Sequence, residues 1–225
     1  MIKLSPRLKC LADFISDNTN MVDIGCDHGL LDIYLLENRK NIKTIASDVN
    51  DNALNNAKKN IKKYKLDDKI ETILSNGLDN IDTTNLDTIV ISGMGSHTIV
   101  GILYNNLKKL KNINKLIIQS NNDLDFLRYK LTKIGYYIKR EKLVKDAGII
   151  YTVIEFNKGY RIYSKKELYF GPYLLKENSN LFIEKCNIEL DKLNKIYPLI
   201  PKSQYRYKLK INYKIKMLKK ILSKG

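Results

Sequence analysis

The chain has 225 residues, 44% of them hydrophobic, with 40 Lys plus Arg against 24 Asp plus Glu and a formal charge of +16; this fits one core domain with a smaller appendage. Three cysteines (Cys10, Cys26, Cys186) and two histidines (His28, His97) show no paired spacing, so a reduced, cytosolic protein without a bound metal is expected. The first residues lack a long apolar core and no run reaches the ~18 apolar residues of a membrane span, so neither export nor membrane insertion is expected.

Ser5 followed by Pro6 reads as a helix N-cap and first helical position, and Leu8, Leu11, Ala12 and Ile15 then recur at helical spacing. Short apolar runs at Met21–Ile24, Thr44–Ala46, Ile70–Leu74, Thr88–Ile91 and Leu116–Ile118 read as buried strands. Helical patterns over 30–38, 51–64, 96–110 and 123–134 alternate with them, the grammar of a parallel sheet. Tyr136–Leu143 and Ile149–Phe156 have no helix between them and meet around Asp146-Ala147-Gly148, a hairpin that closes a seven-stranded sheet. A dinucleotide-binding domain would continue with a helix and a parallel strand. A final antiparallel strand is, by fold analogy, the ending of a methyltransferase.

After Phe156 the pattern changes. A helical signal after Gly159 leads to Gly171-Pro172 and then to two long helical stretches separated by Pro198-Leu199-Ile200-Pro201. Leu175, Phe182, Cys186, Leu193 and Ile196 fit one alternating three-and-four seam, and Ile211, Ile215, Leu218 and Leu222 fit another, which predicts an antiparallel coiled-coil hairpin. Residues 1–157 carry 23 basic and 19 acidic side chains; residues 158–225 carry 17 and 5, with no acid after Asp191. AT-rich coding inflates Lys, Asn and Ile together, but it does not sort charge by domain. A catalytic domain over 1–157 and a polyanion-facing helical domain over 158–225 are therefore expected, a dimerisation arm being the alternative use of the hairpin.

The loop Asp23-Ile24-Gly25-Cys26-Asp27-His28-Gly29 stands where the first strand meets the first crossover helix. Its glycines let backbone approach a ligand closely, and the following helix offers free N–H groups. An acid replaces the first glycine of G-x-G-x-x-G. A pyrophosphate gains nothing from Asp23 and Asp27, whereas a sulfonium and an ammonium favour them, so S-adenosylmethionine is the cofactor expected; a ligand-free structural turn is the alternative. Asp48 ends the second strand, where an acid hydrogen-bonds ribose hydroxyls unless it merely caps the helix over 51–64. Asn76-Gly77 would meet the adenine edge or form an ordinary turn. Ser92-Gly93-Met94-Gly95-Ser96-His97 ends the fourth strand, where the target base is expected, with His97 a cap, a surface residue or an acid–base group. Gln119-Ser120-Asn121-Asn122-Asp123 supplies amides at the same rim, for a base or for capping the next helix.

With Ser5-x-Arg7-Leu8, Asp23-Ile24-Gly25-Cys26-Asp27-His28, Gly93-Met94-Gly95, Gln119-x-Asn121 and Gly171-Pro172-Tyr173-Leu174-Leu175, the chain resembles the bacterial tRNA adenine-22 N1-methyltransferases, the TrmK family. The resemblance implies a Rossmann-like class I methyltransferase, cytoplasmic and monomeric, acting on tRNA. It implies that Asp23, Gly25, Cys26, Asp27, His28, Asp48, Val49, Asn76, Gly77 and Gly93 hold the cofactor, with Asp27 and His28 nearest the chemistry. Met94, Gly95 and Asn121 would meet the target base, and Arg7 with Lys202, Arg206, Lys208 and Lys210 would grip the substrate's phosphates. Tyr205, Tyr207 and Tyr213, interleaved with those cations, suit exposed bases or packing inside the hairpin. Ser120 replaces a family proline, from which a looser rim is expected; Ser96 replaces a glycine, Asp48 a glutamate and Ser75-Asn76-Gly77 a Gly-Asp-Gly. Two rivals remain open at this level: a nicotinamide-dependent oxidoreductase and a non-catalytic RNA-binding module.

Overall fold

The computed structural model describes residues 2–223. Its strands are β1 (Asn20–Ile24), β2 (Lys43–Asp48), β3 (Ile70–Leu74), β4 (Thr88–Met94), β5 (Lys115–Ser120), β6 (Tyr136–Asp146) and β7 (Ile149–Lys158). The helices of the same unit are α1 (Pro6–Ala12), α2 (Leu30–Asn38), α3 (Asp51–Lys63), α4 (Ser96–Asn105), α5 (Leu124–Lys133) and α6 (Lys165–Phe170). One sheet results, ordered β3-β2-β1-β4-β5-β7-β6, with β1 to β5 parallel and β7 antiparallel to both β5 and β6. The expected hairpin forms at Ala147-Gly148, where both residues have positive φ, the backbone a two-residue turn between twisted strands requires.

Crossovers leave the adjacent strands β1 and β4 in opposite directions, and right-handed connections then place α2 and α4 on opposite faces. The crevice at the carboxyl ends of β1 and β4 is the switch point at which such sheets bind ligands. Beneath it, Met21, Val90, Ile117 and Val153 pack with Leu11 and Ile15 and with Leu31 and Leu35 of α2. Ala46 and Ile70 pack with Ile33 of α2 and Leu54, Ala57 and Ile61 of α3.

Local chemistry sets the helix starts. Ser5 Oγ accepts from Leu8 N, and Asn50 Oδ1 accepts from Asn52 N and Ala53 N; the cap of α3 is therefore Asn50 and not Asp48. The fourth helix is shorter than its periodicity suggested. It stops at Asn105, and a 3-10 turn over Leu107–Lys111 follows, because Asn105-Asn106 favour leaving the helix.

The compact units divide between Pro172 and Tyr173, later than the composition change. Segment 158–172 stays with the first unit because Arg128, buried with Glu141 at 2.8 Å, also donates to the carbonyls of Leu168 and Tyr169. The second unit contains α7 (Pro172–Glu177) from Tyr173 onward, α8 (Asn180–Ile196) and α9 (Tyr205–Leu222), the last two packed against each other. Phe182, Cys186, Leu193, Ile211, Ile215 and Leu218 are buried as the seams required. Leu174 and Ile221 are buried in place of Leu175 and Leu222, a shift of one position at each end. At the first of these, Asn178 at φ 48 separates α7 from α8 and breaks the phase of the seam.

Candidate active site

The cleft at the switch point has a volume of about 460 Å³, within the range of small-ligand sites. Asp23, Gly25, Cys26, Asp27, His28, Asp48, Val49, Asn76, Gly77, Gly93, Arg7 and Met94 all line it. Separate elements of the chain thus converge there; Gly95 and Asn121, expected beside Met94, are not among the lining residues.

The loop after β1 is held by backbone: Gly25 N and Cys26 N both donate to Ser47 O, at 2.8 and 3.0 Å. Gly25 has φ +79, which excludes other residues without strain. Asp48 accepts from Asp27 N at 3.2 Å and Asn50 N at 2.8 Å, so the end of β2 clasps the same loop. Across the cleft Gly77 has φ +61, and a Cβ there would lie 2.8 Å from Ile102 Cγ2. Asn76 Nδ2 donates to Asp79 and buried Ser75 Oγ to Gly77 O, so this segment is an ordered turn that also lines the cleft.

Two carboxylates dominate the electrostatics. Asp23 is buried with Oδ1 unpartnered; burial pushes its carboxyl well up, reinforced by Asp32 and Asp48 and opposed by Arg7. Asp32, on α2, accepts from Thr44 Oγ1, keeps Oδ2 unpartnered and is pushed up by burial to about 6. Burial likewise raises the Cys26 thiol, disfavouring the thiolate. A buried acceptor without a donor calls for a cationic or N–H-bearing ligand, and Asp48 offers a second carboxylate at the cleft wall. This acidic lining fits the cationic S-adenosylmethionine and disfavours a pyrophosphate.

Asp27 and His28 stand at the mouth, their side chains 71% and 50% exposed with Oδ2 and Nε2 3.6 Å apart. On the other wall β4 bulges at Gly93 (φ +77). Gln119, fully buried, takes Arg7 Nη1 at 2.8 Å and Gly93 N at 3.0 Å on Oε1 and donates to Asn121 Oδ1. Asn121 Nδ2 returns to Gly93 O at 2.8 Å. Arg7, placed by the sequence on a phosphate, is thus tied into the wall and lies 5.5 Å from the Tyr151 ring centroid. Gln119 carries more of this wall than its motif suggested; its signal was a polar residue directly after the apolar run of β5.

Asn122 Oδ1 accepts from Ser96 N, so it caps α4 rather than its own helix α5. Gly95 lies within 3.5 Å of that amide, counted from an ideal Cβ. Ser96 and Ser120 are buried and hydrogen-bond to each other, and Ser120 Oγ also donates to Met94 O. Ser120, where a looser rim was expected, is thus held by contacts of its hydroxyl. His97 is not among the residues that line the cleft; it stacks on Phe126. Asp32 was overlooked by sequence reasoning, although a lone acid in Leu30-Leu31-Asp32-Ile33-Tyr34-Leu35 marks a buried charge.

Lys202, Arg206, Lys208 and Lys210 belong to the second unit, where all but half-buried Lys208 are exposed. Tyr205, Tyr207 and Tyr213 are also exposed, which removes the alternative of packing within the hairpin. Among the described residues no cluster of His, Cys, Asp and Glu could hold a metal, and no helix is long and apolar enough to cross a membrane.

The family described as tRNA (adenine(22)-N(1))-methyltransferase, TrmK, matches residues 21–220. A tRNA (adenine(22)-N(1))-methyltransferase of Bacillus subtilis is 31% identical, covering 100% of this chain and 99% of its own. A Streptococcus pneumoniae protein in complex with S-adenosyl-L-methionine is 34% identical, with TM-score 0.90 over 98% of this chain and 100% of that one. TrmK of M. capricolum, in complex with S-adenosyl-homocysteine, is 35% identical, with TM-score 0.85 over 98% of each chain. Sheet order, cleft and these likenesses agree: the chain belongs to the TrmK family of tRNA (adenine(22)-N(1))-methyltransferases.

Proposed function

We propose that the protein transfers the methyl group of S-adenosylmethionine to N1 of adenine 22 in tRNA. The observation that carries this is the cleft itself. An unpartnered buried carboxylate oxygen on Asp23, the Asp48 carboxylate and the Gly25 and Gly77 backbones meet there, in a chain of this family. A nicotinamide dinucleotide would set its pyrophosphate against Asp23 and Asp27, and the comparisons give no support to that reading or to a non-catalytic module.

Asp23 would take the positive end of the cofactor, Asp48 the ribose and the Asn76-Gly77 turn the adenine edge. When bound, S-adenosylmethionine supplies an electrophilic methyl group on a positively charged sulfur. Adenine N1 carries its lone pair in the ring plane, so no side chain has to remove a proton before attack. The protein's task is orientation, which supplies up to roughly 7–11 kcal/mol where the geometry is good. Gly93 and Met94, fixed by Gln119 and Asn121, form the wall against which the base is aligned. The product base is cationic, and the Asp27 carboxylate at the mouth offsets that charge; His28 shapes the pocket beside it.

The second unit serves as the tRNA grip. From Lys192 to its end it carries no acid, and its exposed tyrosines and cations offer rings to bases and ammonium groups to phosphates. A cytoplasmic monomer, with its three cysteines unpaired in the structure, belongs to the same proposal. Calorimetric titration tests the cofactor directly: S-adenosylmethionine binds the free protein and NAD does not. NAD binding without S-adenosylmethionine binding would overturn the function.

A further inference from the structure

Outside the cleft, α4 and α5 pack against each other and share a face of rings and ammonium groups that methyl transfer does not use. His97 stacks on Phe126 with centroids 4.2 Å apart and planes 23° from parallel. Lys130 Nζ lies 5.7 Å from the Phe126 centroid and 5.4 Å from that of Tyr104, and Lys133 Nζ lies 5.4 Å from that of Tyr129. Phe126, Lys130 and Lys133 follow the spacing of one helical face, as do His97 and Tyr104, so these groups form a stripe. It starts at the first turn of α4, just past Gly95, where the His97 side chain is 72% exposed. Asp123 Oδ2 lies 4.0 Å from His97 Nε2, so the positive end of the stripe is the lower one, at Lys130 and Lys133.

We infer that this stripe is a second tRNA contact, built into the catalytic unit: a nucleotide neighbouring the target adenine stacks on the exposed face of His97, and adjacent phosphates meet Lys130 and Lys133. The inference rests on the tRNA methyltransferase function proposed above. Adenine must leave its stack to present N1 to a methyl donor. Its neighbour then loses a stacking partner, and a flat ring beside the cleft replaces it. Rings alternating with ammonium groups suit bases plus phosphates, and His97 directly precedes Thr98, which lines the cleft.

The test uses the full chain, unmodified tRNA and two sets of variants, Lys130→Glu with Lys133→Glu, and His97→Ala with Tyr129→Ala, each checked for an unchanged melting temperature and S-adenosylmethionine affinity. The charge reversal is expected to weaken tRNA binding about tenfold or more and to lower the salt slope by roughly 1.5–2. The ring pair is expected to raise KM for tRNA several-fold, with kcat on saturating tRNA nearly unchanged. Binding and KM within twofold of wild type in both sets would overturn the inference while wild-type methylation left the parent function standing. A loss of self-association at unchanged tRNA affinity would assign the face to a second copy and would also overturn it. A wild-type protein that binds S-adenosylmethionine and leaves tRNA unmodified removes both.

Discussion

Ser96 and Ser120, two positions where the chain departs from the pattern of its family, hydrogen-bond to each other Oγ to Oγ at 2.9 Å. With one proton each, the two hydroxyls share this link with the carbonyls of Met94, 3.1 Å from Ser120 Oγ, and Asn122, 2.6 Å from Ser96 Oγ. Each hydroxyl is buried, so removing one leaves its partner short of a bond. Ser96→Ala and Ser120→Ala should each cost about 1–2 kcal/mol. In a double-mutant cycle by chemical denaturation they should couple by roughly 0.5–1 kcal/mol. Strictly additive costs would show that the two departures are independent.

Arg7 reaches the same wall from α1, its Nη1 sharing Gln119 Oε1 with Gly93 N. Gln119→Leu keeps the volume and removes both acceptor and donor, so Gly93 loses its fixed place at the bulge. Turnover should fall about tenfold or more, since alignment sets the rate, while S-adenosylmethionine affinity measured by calorimetry changes only a few-fold. An unchanged kcat would detach the buried amide from the reaction.

Asp32 gives a pH signature. Its folded-state carboxyl sits near 6, raised by burial, against an ordinary value of 3.8. The folded protein therefore holds the proton more tightly than the unfolded chain. The share of stability that Asp32 contributes is lost as pH climbs from about 4 to about 6 and is then constant. Asp32→Asn keeps an acceptor for Thr44 and abolishes the titration. It should melt higher than wild type at pH 8, and the difference should close by pH 4; a gap of equal size at both would contradict the buried-acid assignment.

Asp27 is held at φ 49 with its N–H on Asp48, a backbone conformation uncommon outside glycine, asparagine and aspartate. Its carboxylate is exposed at the mouth, and the proposed mechanism has it offset the positive charge of the product base. Asp27→Ala should lower turnover by one to two orders of magnitude, roughly the effect of one electrostatic contact in a reacting site moderated by solvent exposure. Single-turnover rates within a few-fold of wild type would remove Asp27 from the mechanism.

The parts of the fold legible in the sequence were those fixed by local rules. The acidic glycine loop follows a strand and opens a helix, and Ala147-Gly148 can only be a tight turn between two long strands. Asp48 and Asn76 reach the cleft because strand ends in a parallel sheet share one edge. What the sequence hid depends on partners far along the chain. Gln119 looks like an exposed rim amide until Arg7, 112 residues away, and Gly93, 26 away, close over it. The phase of α7 against α8 turned on Asn178 at positive φ, a place glycine would have announced. Segment 158–172 reads as part of the basic tail, yet Arg128 claims its backbone for the first unit.

The most direct test is to incubate the purified protein with unmodified tRNA and S-adenosylmethionine carrying a labelled methyl group, digest the RNA and locate the label. The cleft and the family together require N1-methyladenosine at position 22 alone. Label on another base or position, or none with the cofactor bound, would contradict the assignment.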